Sequence, residues 1–176
     1  MTIRVQREDF DVGAEISALT EGNASIGGVT SFIGLVRDMA DGERTTAMTL
    51  EHYPGMTEKM LAVIDDEAHD RWPLEASLIV HRYGRLDAGD RIVLVVAASP
   101  HRDAAFEACR FLIDWLKTKA PFWKLEEADG GAKRWVKAKE IDDVAAARWE
   151  TSSETKKRDN HGGNHQFARV PEKQKP

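Results

Sequence analysis

The chain holds one cysteine, Cys109, among 176 residues. That excludes an internal disulfide and any CxxC redox or zinc motif. No apolar run approaches the roughly 18 residues of a membrane-spanning helix. The first ten residues, MTIRVQREDF, are charged and lack the apolar stretch of a secretion signal. A phosphate-cradling GxxxxGK loop, a GxGxxG turn, a GxSxG elbow and internal repeats are all absent. Any phosphate would therefore have to be held by side chains and a helix N-terminus. Net positive charge is missing too. The balance of −5 argues against nucleic-acid binding. These absences predict a cytoplasmic protein with neither a membrane nor a nucleic acid as partner.

What is there is an ordinary globular composition, 41% hydrophobic, long enough for one domain with a real core. The charge is unevenly spread. Residues 1–100 hold nine Lys/Arg against seventeen Asp/Glu, whereas residues 101–139 hold nine against six. A local basic region on an acidic body suits a small anionic ligand or an acidic partner.

Hydrophobic spacing predicts an α+β chain. A short capped helix starts at Asp11. Residues 27–37 and 45–53 are β-rich and predict a hairpin, ended by Pro54 and Gly55. Apolar residues at 56, 60, 63, 64 and 68 predict a helix closed by Pro73. ASLIVHRYG and RIVLVVAAS read as two strands joined tightly through Gly89, the second central in a sheet. A long helix is predicted from Ser99, as N-cap, to about Lys119, with Pro121 stopping it. An extended segment follows, then a last strand in KRWVKAKE and a short helix in DDVAAARW. Residues 1–149 form the predicted domain. Residues 150–176 are polar, nearly free of apolar side chains, and predict a flexible tail.

Cations recur at element ends: Arg37 after the first strong strand, His101 and Arg102 at the long helix start, Lys117 in its last turn, Lys124 beyond Pro121, and Lys139. Each also has a structural reading. Arg37 serves equally as a solvated strand end, and Lys117 suits a helix C-terminus without further function. Lys124 lies between Trp123 and Leu125, and desolvation by such neighbours lowers a lysine pKa and frees its amine for chemistry. His101 and Arg102 oppose the helix dipole, which suggests that something negative binds there. Cys109 falls on the apolar stripe of the helix and reads as core. His52 and His81 lie in strands without a matching ligand set, and His161 and His165 lie in the tail. No metal site is expected.

Four strings, in order, carry a resemblance over about residues 3 to 149: FIGLVRD, LEHYPGMTEKML, HRYGRLDAGD and SPHRDAAFEACRFLIDWLKTKAPFWKLE. The chain resembles the large, catalytic subunit family of molybdopterin synthase. The resemblance implies a hammerhead-type α+β fold, with an antiparallel sheet packed by helices and an added small β subdomain. It implies transfer of sulfur from the C-terminal thiocarboxylate of a small ubiquitin-like sulfur-carrier subunit to a cyclic pyranopterin monophosphate, precursor Z. The product is the dithiolene of molybdopterin, and no resident cofactor is implied. It further implies a homodimer of large subunits within a heterotetramer.

By position, Lys117 and Lys124 match the family's two catalytic lysines. Arg37, His101 and Arg102 match its anion-binding residues, and Glu126 a pocket-edge acid that orients a lysine. Lys139 stands where the family often donates an arginine across the dimer, and Leu125 where many members are basic. The expectation is that these groups meet, within one chain or across a twofold axis. A module that only bound a phosphorylated pterin or nucleotide would need the cations but neither reactive amine, and a scaffold for the small subunit would need neither.

Overall fold

A computed structural model describes residues 2–40, 43–136 and 146–149. Its centre is a four-stranded sheet built from β1 (Thr2–Gln6), β5 (Ala76–Arg82), β7 (Arg91–Ser99) and β2 (Gly28–Leu35), in that order. β1 runs parallel to β5; the other pairs are antiparallel. The middle strands carry the apolar runs because both faces are covered. β7 is buried from Val93 to Ser99.

On one face lie α2 (Met56–Arg71) and α3 (Arg102–Lys119). Leu61 and Ile64 of α2 and Ala108, Phe111, Leu112 and Trp115 of α3 pack there on Ile79, Val93 and Val95. The alternate residues of the same strands, Leu78, Val80, Leu94 and Val96, meet Phe10 and α1 (Val12–Thr20) on the other face. Asp11 caps α1, its carboxylate accepting the Ala14 amide at 2.8 Å. Trp149 belongs to the larger core. Its ring meets Trp72 and Phe111 edge-on at 5.7 and 5.5 Å, and its Nε1 donates to Asp114 at 2.9 Å.

A second sheet joins β3 (Met39–Ala40), β4 (Glu43–His52), β8 (Phe122–Ala128) and β9 (Lys133–Val136), with β6 (Gly84–Asp87) also pairing β4. Two expectations change here. The strands over 27–37 and 45–53 do not form a hairpin with each other: β2 pairs β7, and β4 pairs β6 and β8 in the other sheet. The link between β5 and β7 is likewise not a tight turn, because β6 leaves to join β4 on the way. The two sheets thus exchange strands, and Val36, Leu50 and Leu86 form a small core where they meet. The predicted last strand is present as Lys133–Val136, and residues 146–149 are helical. Lys139, His161, His165 and the 150–176 tail lie outside the described residues.

Candidate functional site

The long helix starts later than its sequence suggests. Ser99 stays in β7, paired with Gly28, and α3 begins at Arg102 with His101 as an N-cap that makes no side-chain capping bond. The Ser99 hydroxyl is already engaged. It donates to the Pro73 carbonyl at 2.8 Å and accepts the His101 amide at 3.1 Å. Gly27 is required at this crossing, because a Cβ there would sit 2.2 Å from the Pro100 oxygen. His101 and Arg102 therefore stand exposed over the first residues of β2. Asp103 lies 3.5 Å from Arg102, an exposed pair that adds little by itself.

From there α3 runs back along β2. Cys109 sits over Val95, Sγ to carbonyl 3.9 Å, and Val95 pairs Phe32 in mid-strand. Lys117 is reached 15 residues after Arg102, about 22 Å along the axis at 1.5 Å per residue. It is exposed beside the buried Trp115 and Leu116. Ala120 is extended, as a residue before proline prefers, and the chain turns at Pro121 straight into β8.

Lys124 is half-buried in β8, opposite Leu50 of β4 and Val136 of β9. Trp123 and Leu125 do not enclose it, contrary to the expectation. Successive strand residues face opposite ways, so Trp123, 49% exposed, lies on the other side of the sheet. The neighbours on the Lys124 face are Phe122, Glu126 and, across the strand, Leu50. Glu126 is engaged by Arg134 at 3.2 Å, its cross-strand partner on β9.

Arg37 lies at the same end of the molecule as the lysines. It follows Val36, whose amide donates to Asp90 at 2.9 Å and whose carbonyl accepts from Gly89 at 2.8 Å. Gly89 has φ 92°, the left-handed region open to glycine. Val36, Arg37, Asp38, Ala88 and Gly89 line an open hollow of about 500 Å³. Since Val36 packs on Leu50 and Lys124 stands opposite Leu50, the hollow borders the second sheet near Lys124.

The predicted site residues thus fall into two groups. Arg37, Lys117, Lys124 and Glu126 share the end where the sheets meet. His101 and Arg102 occupy the far end of β2 and α3. One chain does not bring all of them together.

Two residues gained no role from the sequence. His81, in an otherwise apolar strand, and His52, at the end of β4, meet around Phe122. Only the appearance of a histidine inside the run SLIVH signalled this. Burial, reinforced by the charges of Lys124 and His52, pushes the His81 imidazole down to about 4, so it is neutral near pH 7. Cys109 is core as expected, and burial pushes its thiol up to about 12. Among the described residues, no group of three or more His, Cys, Asp or Glu is placed to hold a metal ion.

Comparison with known proteins adds a family. Residues 5–119 match the family described as MoaE protein. A curated protein of Mesorhizobium japonicum, named molybdopterin synthase catalytic subunit, is 55% identical over 154 residues, covering 87% of this chain and 96% of its own. One of the same name from Ralstonia nicotianae is 57% identical over 148 residues, 84% of each chain. The solved molybdopterin biosynthesis MoaE protein of Burkholderia ambifaria superposes with a TM-score of 0.73 at 51% identity, covering 85% of this chain and 97% of that one.

Proposed function

The chain belongs to the MoaE protein family, and from that premise we propose how its residues divide the work of a molybdopterin synthase catalytic subunit. The enzyme transfers sulfur from the thiocarboxylate terminus of a small ubiquitin-like subunit to precursor Z, forming the dithiolene of molybdopterin. Each thiocarboxylate delivers one sulfur, so two charged carriers serve each product. The carrier's acyl carbon leaves as a carboxylate once water has replaced the sulfur.

Lys117, at the exposed end of α3, polarises the thiocarboxylate carbonyl or takes up its acyl group. Lys124, one turn of chain beyond, gives and takes protons at the pterin side chain. Arg37, beside the open hollow, binds the substrate phosphate. The two lysines flank the Pro121 turn, one in the last turn of α3 and one at the start of β8, and this supports assigning them to one reaction centre.

The far placement of His101 and Arg102 gives the homodimer a chemical purpose. We assign the partner subunit's His101 and the partner subunit's Arg102 to the same phosphate, arriving across the twofold axis. There a phosphate gains from two cations and from the amides of a helix start whose side-chain cap is missing. Glu126 supports the rim through Arg134, and Lys139 is assigned to the neighbouring subunit's site. No helix among the described residues is long and apolar enough to cross a membrane, and we place the reaction in the cytoplasm.

The test is a reconstituted reaction of precursor Z with thiocarboxylated small subunit, read as molybdopterin. Lys117→Ala is expected to abolish product while circular dichroism stays native, because an exposed last-turn lysine contributes little packing. Product formation at the wild-type rate would remove the catalytic assignment and leave a binding module.

A further inference from the structure

Phe122, the first residue of β8, is held from both sheets. His81 is the last buried residue of β5, 3% exposed. Its ring lies parallel to the Phe122 ring, with centroids 3.7 Å apart and planes 15° apart. Its Nδ1 is 2.8 Å from the Arg82 carbonyl. A carbonyl only accepts, so Nδ1 carries the proton and the ring orientation is fixed. From the second sheet His52, directly opposite Phe122 in the β4–β8 register, approaches the same ring at 6.2 Å. His52 in turn packs on Tyr83 at 4.5 Å, and the Arg7 guanidinium covers Tyr83 at 4.8 Å.

A buried histidine needs a reason. Leucine or phenylalanine would continue the apolar run of β5 without the desolvation cost of an imidazole. The ring's position supplies one. It is a point of contact between the first sheet and β8, two residues before Lys124. Residues i and i+2 of a strand project from the same face about 7 Å apart. Holding the Phe122 ring therefore helps set the direction in which Lys124 leaves the sheet, directly after the Pro121 turn. Lys124 is also close enough for its charge to act on His81.

We propose that His81 is a positioning residue for Lys124, aiming the lysine by stacking under Phe122 rather than by touching substrate. The inference rests on the reading of Lys124 as catalytic. It predicts that misplacement slows the chemical step while leaving phosphate binding intact.

The experiment compares His81→Ala, His81→Phe, Phe122→Leu and Lys124→Ala in the reconstituted reaction. His81→Ala should lower kcat by about ten- to a hundredfold. Its KM for precursor Z should stay within about twofold of wild type. His81→Phe keeps a stackable ring and should return kcat to within about threefold of wild type. Phe122→Leu keeps apolar bulk, loses the stack, and should fall as His81→Ala does. It decides the matter if His81→Ala does not fold. Wild-type kcat in His81→Ala or Phe122→Leu overturns the proposal, and so does a His81→Phe enzyme as slow as the alanine variant. A fall expressed in KM alone overturns it as well. Wild-type turnover by Lys124→Ala overturns the catalytic reading of that lysine first, and this inference with it.

Discussion

Arg37→Ala and Arg102→Ala should rescue each other when placed in opposite subunits of one dimer. The two arginines lie at opposite ends of β2, which spans about 23 Å from Gly28 to Leu35 at 3.3 Å per residue. Helix α3 spans a similar length between Arg102 and Lys117. Neither side chain reaches across, so a site served by both takes one from each subunit. Loss of a charge-assisted phosphate contact costs about 1.5–3 kcal/mol. Each homodimeric variant should then lose about ten- to a hundredfold in kcat/KM. In a heterodimer of the two variants one site carries both defects and the other carries none. Turnover per dimer should return to about half of wild type. Two affinity tags and tandem purification isolate the heterodimer, and molybdopterin formation is the readout. A heterodimer no better than either homodimer would refute the shared site and the reading of the fold behind it.

The remaining predictions concern the protein core and its pH dependence. Cys109→Ala should keep wild-type turnover, and the native thiol should resist iodoacetamide at pH 8, since a thiol pushed up to about 12 carries almost no thiolate there. Rapid alkylation of the folded protein, or loss of turnover in the alanine variant, would contradict the core assignment. His81 binds its proton more weakly in the folded chain than in the unfolded one, about 4 against 6.5, because of burial and then the Lys124 and His52 charges. Its contribution to stability is therefore fully present above pH 6.5 and is lost as the pH falls towards 4, by about 3 kcal/mol in total. Urea unfolding of wild type and His81→Phe at pH 7, 5.5 and 4 should show this loss in the wild type only. Parallel pH dependence of the two would refute it.

Much of the fold is legible in the sequence where burial alone decides it. RIVLVVAAS has no polar face, so it sits in the middle of a sheet covered by helices on both sides. The α3 stripe through Ala105, Cys109, Leu112 and Leu116 is buried at each position. Pairing is less legible, because alternation marks a strand without naming its neighbour. Residues 28–35 and 43–52 are adjacent strands in sequence, yet a short connection through β3 carries them into different sheets. The helix start is less legible. Ser99 has the chemistry of an N-cap, but its pairing with Gly28 keeps its backbone in β7, and its hydroxyl accepts the His101 amide ahead of the helix.

The site divides along the same line. Which residues carry charge, and that they sit at element ends, follows from the sequence. Two geometric facts were also available there. Lys124 and its neighbours Trp123 and Leu125 must point to opposite faces of any regular strand. Residues 102 and 117 of one straight helix must lie about 22 Å apart. The second fact separates the helix-start cations from Lys117 within one chain. What only the fold reveals is the histidine pair. His52 and His81 are 29 positions apart on strands of different sheets, and Phe122 is 41 positions further on. They meet because β6 crosses from one sheet to the other between β5 and β7, which brings the end of β5 against the start of β8. The proposed reaction centre lies at that seam, because the end of α3 is fixed by the larger core and Val36, next to Arg37, by the small core with Leu50 and Leu86, while β8 is paired to β4.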